Sequence, residues 1–316
     1  MHKILLLGSG DFARGVLEGV LATEHQLVGF FPWEARAKPS LKSRLKRFLV
    51  SDNIALAQRL NLPLVQVRSA NSPEFARYVE SVQPDVILVA GWGEILRPEV
   101  IQLPKVACVN SHPSLLPRHR GAAPIASVLR EGESETGVTF HYLTPAIDAG
   151  NILYQSSLPI FDFDDYGSLA RRIAQRAKET IHLALANIGQ EGQSQNQDDA
   201  SYFYRPKGKD LWLDWSQPAQ LLRNRICSVA PGSERYATKH GDRVLEVFDA
   251  ELVDLHNPCD KPGLILGKSG SRLLVATGDS LRALFVRACP KGNRLGLLGA
   301  KYYCLNKIHA GEILGP

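Results

Sequence analysis

The stretch Ile4-Leu5-Leu6-Leu7-Gly8-Ser9-Gly10-Asp11-Phe12-Ala13 reads as a buried strand, a tight glycine turn and the approach to a helix. An unbroken apolar run suits a strand covered on both faces, and glycines at 8 and 10 let the backbone turn sharply without a Cβ in the way. Working outward, a helix is expected over 13–22 and a second strand over 26–31. Helices over 53–60 and 72–82 alternate with strands over 64–67 and 86–90, and a further strand covers 106–110. A helix over 122–130, a strand over 137–143 and a long helix over 167–188 complete the pattern. Such alternation predicts an α/β domain with a parallel sheet wrapped by helices, here residues 1–188.

Composition changes at Gly189-Gln-Glu-Gly-Gln-Ser-Gln-Asn-Gln-Asp-Asp199, which is polar and lacks helical or strand periodicity. Residues 189–206 are therefore expected to be a linker, and 207–316 a second domain. That domain has a helix over 218–227 and short β-branched runs at 244–249, 262–266, 272–276 and 282–288. Turn residues separate the runs, as in a small antiparallel β-barrel. At 316 residues, 44% hydrophobic and 22% charged, the chain has material for two cores, and neither disorder nor a fibre fits. No apolar run reaches the roughly 18 to 20 residues of a spanning helix. The opening residues lack the pattern of a secretory leader, so a cytoplasmic protein with no membrane association is expected. Five scattered cysteines without a CxxC pair encode neither a disulfide framework nor a zinc site. Residues 1–206 carry 21 Lys and Arg against 21 Asp and Glu, whereas 207–316 carry 16 against 11. The whole net charge of +5 thus sits in the last third, where it suits a polyanionic partner.

The densest polar cluster is Asn110-Ser111-His112-Pro113-Ser114-Leu115-Leu116-Pro117-Arg118-His119-Arg120-Gly121-Ala122-Ala123-Pro124-Ile125. Asn110 and His112 are two apart at the carboxyl end of an expected strand, so their side chains share one side, where open α/β sheets build sites. Prolines 113, 117 and 124 hold the following loop in one shape. Asp148, in a turn after the strand that opens at Thr136-Gly137-Val138-Thr139, is available to the same pocket. An imidazole to move a proton, a carboxylate to orient it and an amide to donate to an oxyanion suit acyl transfer to an incoming amine. Neither Ser111 nor Ser114 stands in a G-x-S-x-G elbow, which argues against a serine hydrolase.

The run from Asn110 to Ile125, then Glu135-Thr-Gly-Val-Thr139 and Asp148-Ala-Gly-Asn-Ile-Leu153, closely resembles the folate-dependent formyltransferase family. Asp11-Phe12-Ala13 and Leu213-Asp214-Trp215 look like that family too, and the resemblance covers nearly the whole chain. It implies a Rossmann-like catalytic domain, a C-terminal OB-like β-barrel and a catalytic trio of Asn110, His112 and Asp148. The implied donor is 10-formyltetrahydrofolate, with no metal, and a protonated His112 is expected to help Asn110 stabilise the oxyanion. A folate pocket is implied along the loop Ala90-Gly91-Trp92-Gly93-Glu94-Ile95-Leu96 and beside Ile147, with Trp92, Gly93, Ile95, Leu96 and Ile147 as contacts.

The resemblance makes the amino group of initiator methionyl-tRNA the leading expected acceptor, and a monomer is expected. Arg36, Lys38, Lys42, Arg44, Lys46 and Arg47 stand where the family carries a basic tRNA-gripping loop, with Leu41, Leu45, Phe48 and Leu49 on one helical face. Three features depart from tRNA-specific members: the sequence of that segment, Trp92-Gly93-Glu94, and Val229-Ala230-Pro231-Gly232-Ser233. His141 and Tyr202-Phe203-Tyr204-Arg205-Pro206 look more like relatives that formylate nucleotide-linked amino sugars, which makes such a sugar the alternative acceptor. A folate hydrolase using the same trio is a further rival, and so is an RNA-binding protein without catalysis. A dinucleotide-dependent oxidoreductase is weighed because Gly8 to Ala13 satisfies G-x-G-x-x-A, yet the ribose-binding acid is absent from the end of the second strand.

Overall fold

The computed structural model describes residues 1–33, 53–230, 233–291 and 307–315. The basic segment with Arg36, Lys38, Lys42, Arg44, Lys46 and Arg47 lies outside the described residues, as does part of the 229–233 turn. The chain forms two compact units, the first of residues 1–125, 134–161 and 168–204, the second of 126–133, 162–167 and 205–316. Of the stretch read as a linker, the residues up to Tyr204 thus fall in the first unit.

In chain order the strands of the first unit are β1 (Lys3–Gly8), β2 (Gln26–Pro32), β3 (Val86–Ala90), β4 (Ala107–His112), β5 (Arg120–Gly121), β6 (Glu135–Tyr142), β7 (Ile152–Pro159) and β8 (Tyr202–Phe203). Helices along the same stretch are α1 (Gly10–Leu21), α2 (Asn53–Arg59), α3 (Pro73–Val82), α4 (Pro98–Ile101), α5 (Pro124–Glu131) and α6 (Tyr166–Ala186). The main sheet has the order β2-β1-β3-β4-β6-β7. Its first four strands are parallel, as the alternating pattern implies, and Rossmann-like. The sheet is mixed at its other end, where β6 runs antiparallel to β4 and β7 antiparallel to β6.

Strand β7 was not foreseen, because Gln155-Ser156-Ser157 breaks the apolar pattern of an edge strand. Leu64, expected within a strand, makes a single parallel bridge to Phe30. The turn from β1 into α1 works as the glycines suggest. A Cβ on Gly8 would lie 2.5 Å from the Ala13 Cβ and 2.7 Å from the Ala90 carbonyl, and Gly10 has φ +64°. Ser9, the residue before α1, spends its hydroxyl on the Gly91 carbonyl at 2.7 Å. Gly8 here serves close strand–helix packing, and Gly10 supplies the positive φ of the turn.

The second unit holds β9 (Ala237–His240), β10 (Arg243–Asp254), β11 (Ile265–Ser269), β12 (Arg272–Ala276), β13 (Arg282–Pro290), β14 (Leu314–Gly315) and helix α7 (Ala219–Cys227). The sheet order is β11-β12-β13-β10-β9-β14, antiparallel throughout. A bridge from Leu264 to Ile313 joins its two ends, with Gly311 donating to the Ile265 carbonyl at 2.8 Å and Ile265 to the Glu312 carbonyl at 2.9 Å. Six strands so joined make a small barrel. Its core gathers Leu213, Trp215, Leu222, Leu245, Val275 and Val286. The Trp215 indole N–H donates to the Thr238 hydroxyl at 2.9 Å, and Asp214 caps the next turn by accepting from Ser216 and Gln217. Leu213-Asp214-Trp215 is therefore a structural motif. Among the described residues no helix is long and apolar enough to cross a membrane.

In the first unit α1 meets α6 at close range. A Cβ on Gly15 would lie 2.3 Å from the Ala174 carbonyl oxygen, and one on Gly19 2.5 Å from the Ile181 side chain. Lys178 on α6 also bonds Glu18 on α1 at 2.9 Å. Alanine at 15 would gain about 0.5–1 kcal/mol of helix propensity, but overpacking against a backbone costs about 1–3 kcal/mol. Gly15→Ala is accordingly expected to lower stability by about 1–2 kcal/mol in urea unfolding, and a variant as stable as the parent would show that the two helices can spread.

Candidate active site

The site begins at the end of β4. Val89 and Ala90 of β3 pair with Asn110 and Ser111, while His141 and Thr139 of β6 stand opposite Asn110 and His112. Directly opposed residues of an antiparallel pair project to the same face, so four polar side chains gather on one side of the sheet. Ser111 projects to the other face, where its buried hydroxyl has no hydrogen-bond partner among the described residues.

Asp148 reaches this group from the turn between β6 and β7, in a left-handed conformation of φ +49°. Its carboxylate accepts from the Gly121 N–H at 2.8 Å through Oδ2 and from the Asn110 amide Nδ2 at 3.3 Å through Oδ1. His112 Nδ1 stands 3.6 Å from Oδ2 and His141 Nε2 3.6 Å from Oδ1, both beyond hydrogen-bond length. The His112 side chain is 5% exposed and that of Asp148 12%. Burial works to raise the carboxyl pKa, but the attraction of a charged His112, the neighbouring His141 and the Gly121 N–H outweigh it and hold the group well below the usual carboxylate range. Burial lowers the pKa of His112, against the opposing pull of Asp148 and the His119 carbonyl. The lowered pKa favours the neutral ring. Its Nε2 donates to the His119 carbonyl at 2.9 Å, which leaves the lone pair on Nδ1, facing Asp148.

The proline-rich loop is fixed at several points. The Thr139 hydroxyl donates to the Ser114 carbonyl at 2.7 Å and accepts from the Leu116 N–H at 3.2 Å and the Gln155 amide at 2.8 Å. Its far end is closed by Arg120, which has no exposed surface. That guanidinium donates to Gln195 at 2.7 and 3.2 Å, to Gln197 at 2.9 Å and to the Tyr202 hydroxyl at 2.8 Å. Gln195 in turn donates to the Asp148 and Gly150 carbonyls at 2.9 and 2.7 Å. His119 stacks on Phe203, ring centres 4.9 Å apart. The segment expected as a linker thus braces the turn that carries Asp148.

The structure brings Asn110, His112 and Asp148 together. Among the expected folate contacts, Ile95 is 73% exposed and Ile147 44%, while Leu96 is buried in the core. Trp92 packs on Phe31 and edge-on against Trp33, and Gly93 lies under the Trp33 ring. The loop is clamped to its neighbour by Glu94, which accepts from the Ala70 N–H at 3.0 Å and from the Ser69 hydroxyl. Arg120, Gln195 and the place of His141 inside the cluster were missed. For His141 a signal existed, two residues from Thr139 on one strand face; for Gln195 none did, since its partner lies 75 residues away. Among the described residues no group of three or more His, Cys, Asp or Glu is placed to hold a metal ion.

Comparison with known proteins adds independent findings. Residues 2–185 match the model of the formyl transferase family, and residues 207–294 that of the formyl transferase C-terminal domain. The methionyl-tRNA formyltransferase of Thermotoga maritima is 31% identical over 284 residues, covering 88% of this chain and 87% of that one. Among solved structures, HypX from Aquifex aeolicus in complex with tetrahydrofolic acid superposes with a TM-score of 0.65 at 15% identity, over 97% of this chain. This chain spans about half the length of HypX, 48%. The N-formyltransferase of Helicobacter canadensis, in complex with folinic acid and dTDP-3-aminofucose, superposes with a TM-score of 0.64 at 16% identity, over 91% of this chain and all of that one. With one family model spanning most of the first unit and a second most of the barrel, the chain belongs to the formyl transferase family.

Proposed function

We propose that the protein transfers the formyl group of 10-formyltetrahydrofolate to a primary amine, and that the amine is the amino group of methionyl-tRNA. The observation that carries this reading is the convergence of the Asn110 amide, the His112 imidazole and the Asp148 carboxylate in one cluster. The methionyl-tRNA formyltransferases among its relatives support the acceptor, and the folate ligands of two similar structures support the donor.

The residues present fit such a donor. Exposed Ile95 on the loop after β3 and exposed Ile147 next to Asp148 offer apolar surface near the strand ends, and Glu94 keeps the 91–97 loop in shape. Trp92, Gly93 and Leu96 would support the donor through the backbone of that loop. When bound, the donor supplies a formyl carbon already attached to a nitrogen that can leave. Asn110 directs its N–H groups at the cluster, where they can stabilise negative charge developing on a carbonyl oxygen. His112 takes the amine's proton on Nδ1, because its Nε2 proton is committed to the His119 carbonyl. The imidazolium so formed pairs with Asp148, whose anionic state the Gly121 N–H and the Asn110 amide already favour. Burial lowers the His112 pKa, which suits the ring to the proton-moving role expected of the imidazole. The proton is then available to the departing nitrogen.

Three outcomes test this reading. His112→Ala and Asp148→Asn are each expected to cut formyl transfer by at least about two orders of magnitude with folding intact, and near-normal transfer by either would sink the roles given. In NMR titrations the His112 ring should titrate below 6.5, the ordinary imidazole value, and lower still in Asp148→Asn, which removes the carboxylate that favours the cation. The unfolded chain then binds the proton first as pH falls below 6.5, so this residue should subtract stability on acidification; a midpoint above 6.5 contradicts a neutral base. Release of tetrahydrofolate should be stimulated by charged initiator tRNA, and neutralising Lys42, Arg44, Lys46 and Arg47 should weaken that stimulation in a salt-dependent way. Stimulation only by nucleotide-linked amino sugars would move the acceptor to that class, and release without any amine would indicate a hydrolase.

A further inference from the structure

The structure assigns to His141 a positioning role: it fixes the orientation of the Asn110 amide, so that the N–H end and not the oxygen faces Asp148. The inference deepens the formyl-transfer reading and rests on it for its kinetic consequence. His141 lies directly across from Asn110 in the β4–β6 register and has no exposed surface. Its Nδ1 is 2.9 Å from the backbone carbonyl of Tyr142, which can only accept. Nδ1 must therefore carry a proton, and with one proton on the ring Nε2 presents a lone pair.

That lone pair is 3.2 Å from Asn110 Nδ2, and the same Nδ2 is 3.3 Å from Asp148 Oδ1. Two acceptors thus claim the two N–H groups of one amide. Turning the amide over would set its oxygen against a carboxylate oxygen and an imidazole lone pair at once, with no proton between them. Asp148 alone gives one such preference; His141 supplies the second and makes the orientation unambiguous. A chain of dependence follows, from the Tyr142 carbonyl to the His141 tautomer, from that tautomer to the Asn110 amide, and from the amide to the donor edge offered to a developing oxyanion. His141 also holds one of those N–H groups until a substrate oxygen claims it. It is a positioning residue acting through Asn110.

The test compares ¹⁵N-labelled wild-type protein with His141→Gln, whose amide oxygen can replace the Nε2 lone pair, and His141→Met, which fills the space without an acceptor. The wild-type spectrum should show His141 protonated on Nδ1 and bare on Nε2. The Asn110 side-chain N–H resonances should stay in place in His141→Gln and move in His141→Met. His141→Met should lose about 10- to 100-fold in kcat with the KM for 10-formyltetrahydrofolate unchanged, the scale of a misplaced reactive group, and His141→Gln should recover most of it. In an Asn110→Ala background, His141→Met should have no further effect, because the group it acts through is gone. A proton on Nε2, equal losses in the Gln and Met variants, or multiplied losses in the double variant would overturn the inference. Tautomer and amide resonances are read without substrate, so wild-type protein that transfers no formyl group defeats the formyl-transfer reading and leaves those spectra to decide the role of His141. Should His141→Met not fold, the wild-type tautomer and the His141→Gln spectrum decide it alone.

Discussion

A carboxylate buried at the end of a β-sheet is costly, several kcal/mol for an isolated ion, and much of the first unit is arranged to offset that cost at Asp148. The Gly121 N–H, the Asn110 amide and two imidazoles surround the carboxylate. They come from three stretches of chain, and Asp148 from a fourth. Gly121 arrives at the end of the proline-rich loop, Asn110 and His112 on β4, His141 on β6, and Asp148 itself from a turn in a left-handed conformation. Holding these parts together requires the register of three strands and the bracing of Arg120 by Gln195, Gln197 and Tyr202.

The same constraint explains why two histidines behave differently beside one anion. His112 gives its Nε2 proton to a loop carbonyl and turns a free lone pair toward Asp148, which prepares it to receive a proton. His141 gives its Nδ1 proton to its neighbour's carbonyl and turns its lone pair to Asn110, which prepares it to hold a donor in place. In each case a backbone carbonyl selects the tautomer, and the tautomer selects the task. Proton transfer and donor orientation are thereby separated in a space only a few side chains wide.

The barrel of the second unit is built on a plainer principle. Its strands are short and antiparallel, its ends are joined through 311–314, and Trp215 fills the core while its N–H finds Thr238. Runs such as Arg272-Leu-Leu-Val-Ala276 announce themselves in the sequence, because β-branched and leucine residues between turns have few other solutions. The two-residue strand β14 carries no such pattern and exists only because the barrel closes on it.

Much of the fold was legible along the chain. The apolar runs of β1 and β3 and the glycines between β1 and α1 follow from local sterics and burial, which are properties of neighbouring residues. The pairing of Asn110 with His112 was legible for the same reason, since a spacing of two on a strand decides a shared face. The reversal of direction at β6, the polar edge strand β7 and the role of Gln195 were not, because each depends on a partner far away in sequence. The sequence by itself therefore determined which residues could do chemistry and which segments would be strands or helices. Tertiary structure decided which nitrogen of each histidine carries its proton, which way the Asn110 amide points and what keeps Asp148 ionised. Those choices are made by hydrogen-bond partners brought together by strand register and loop closure, and no local pattern encodes them.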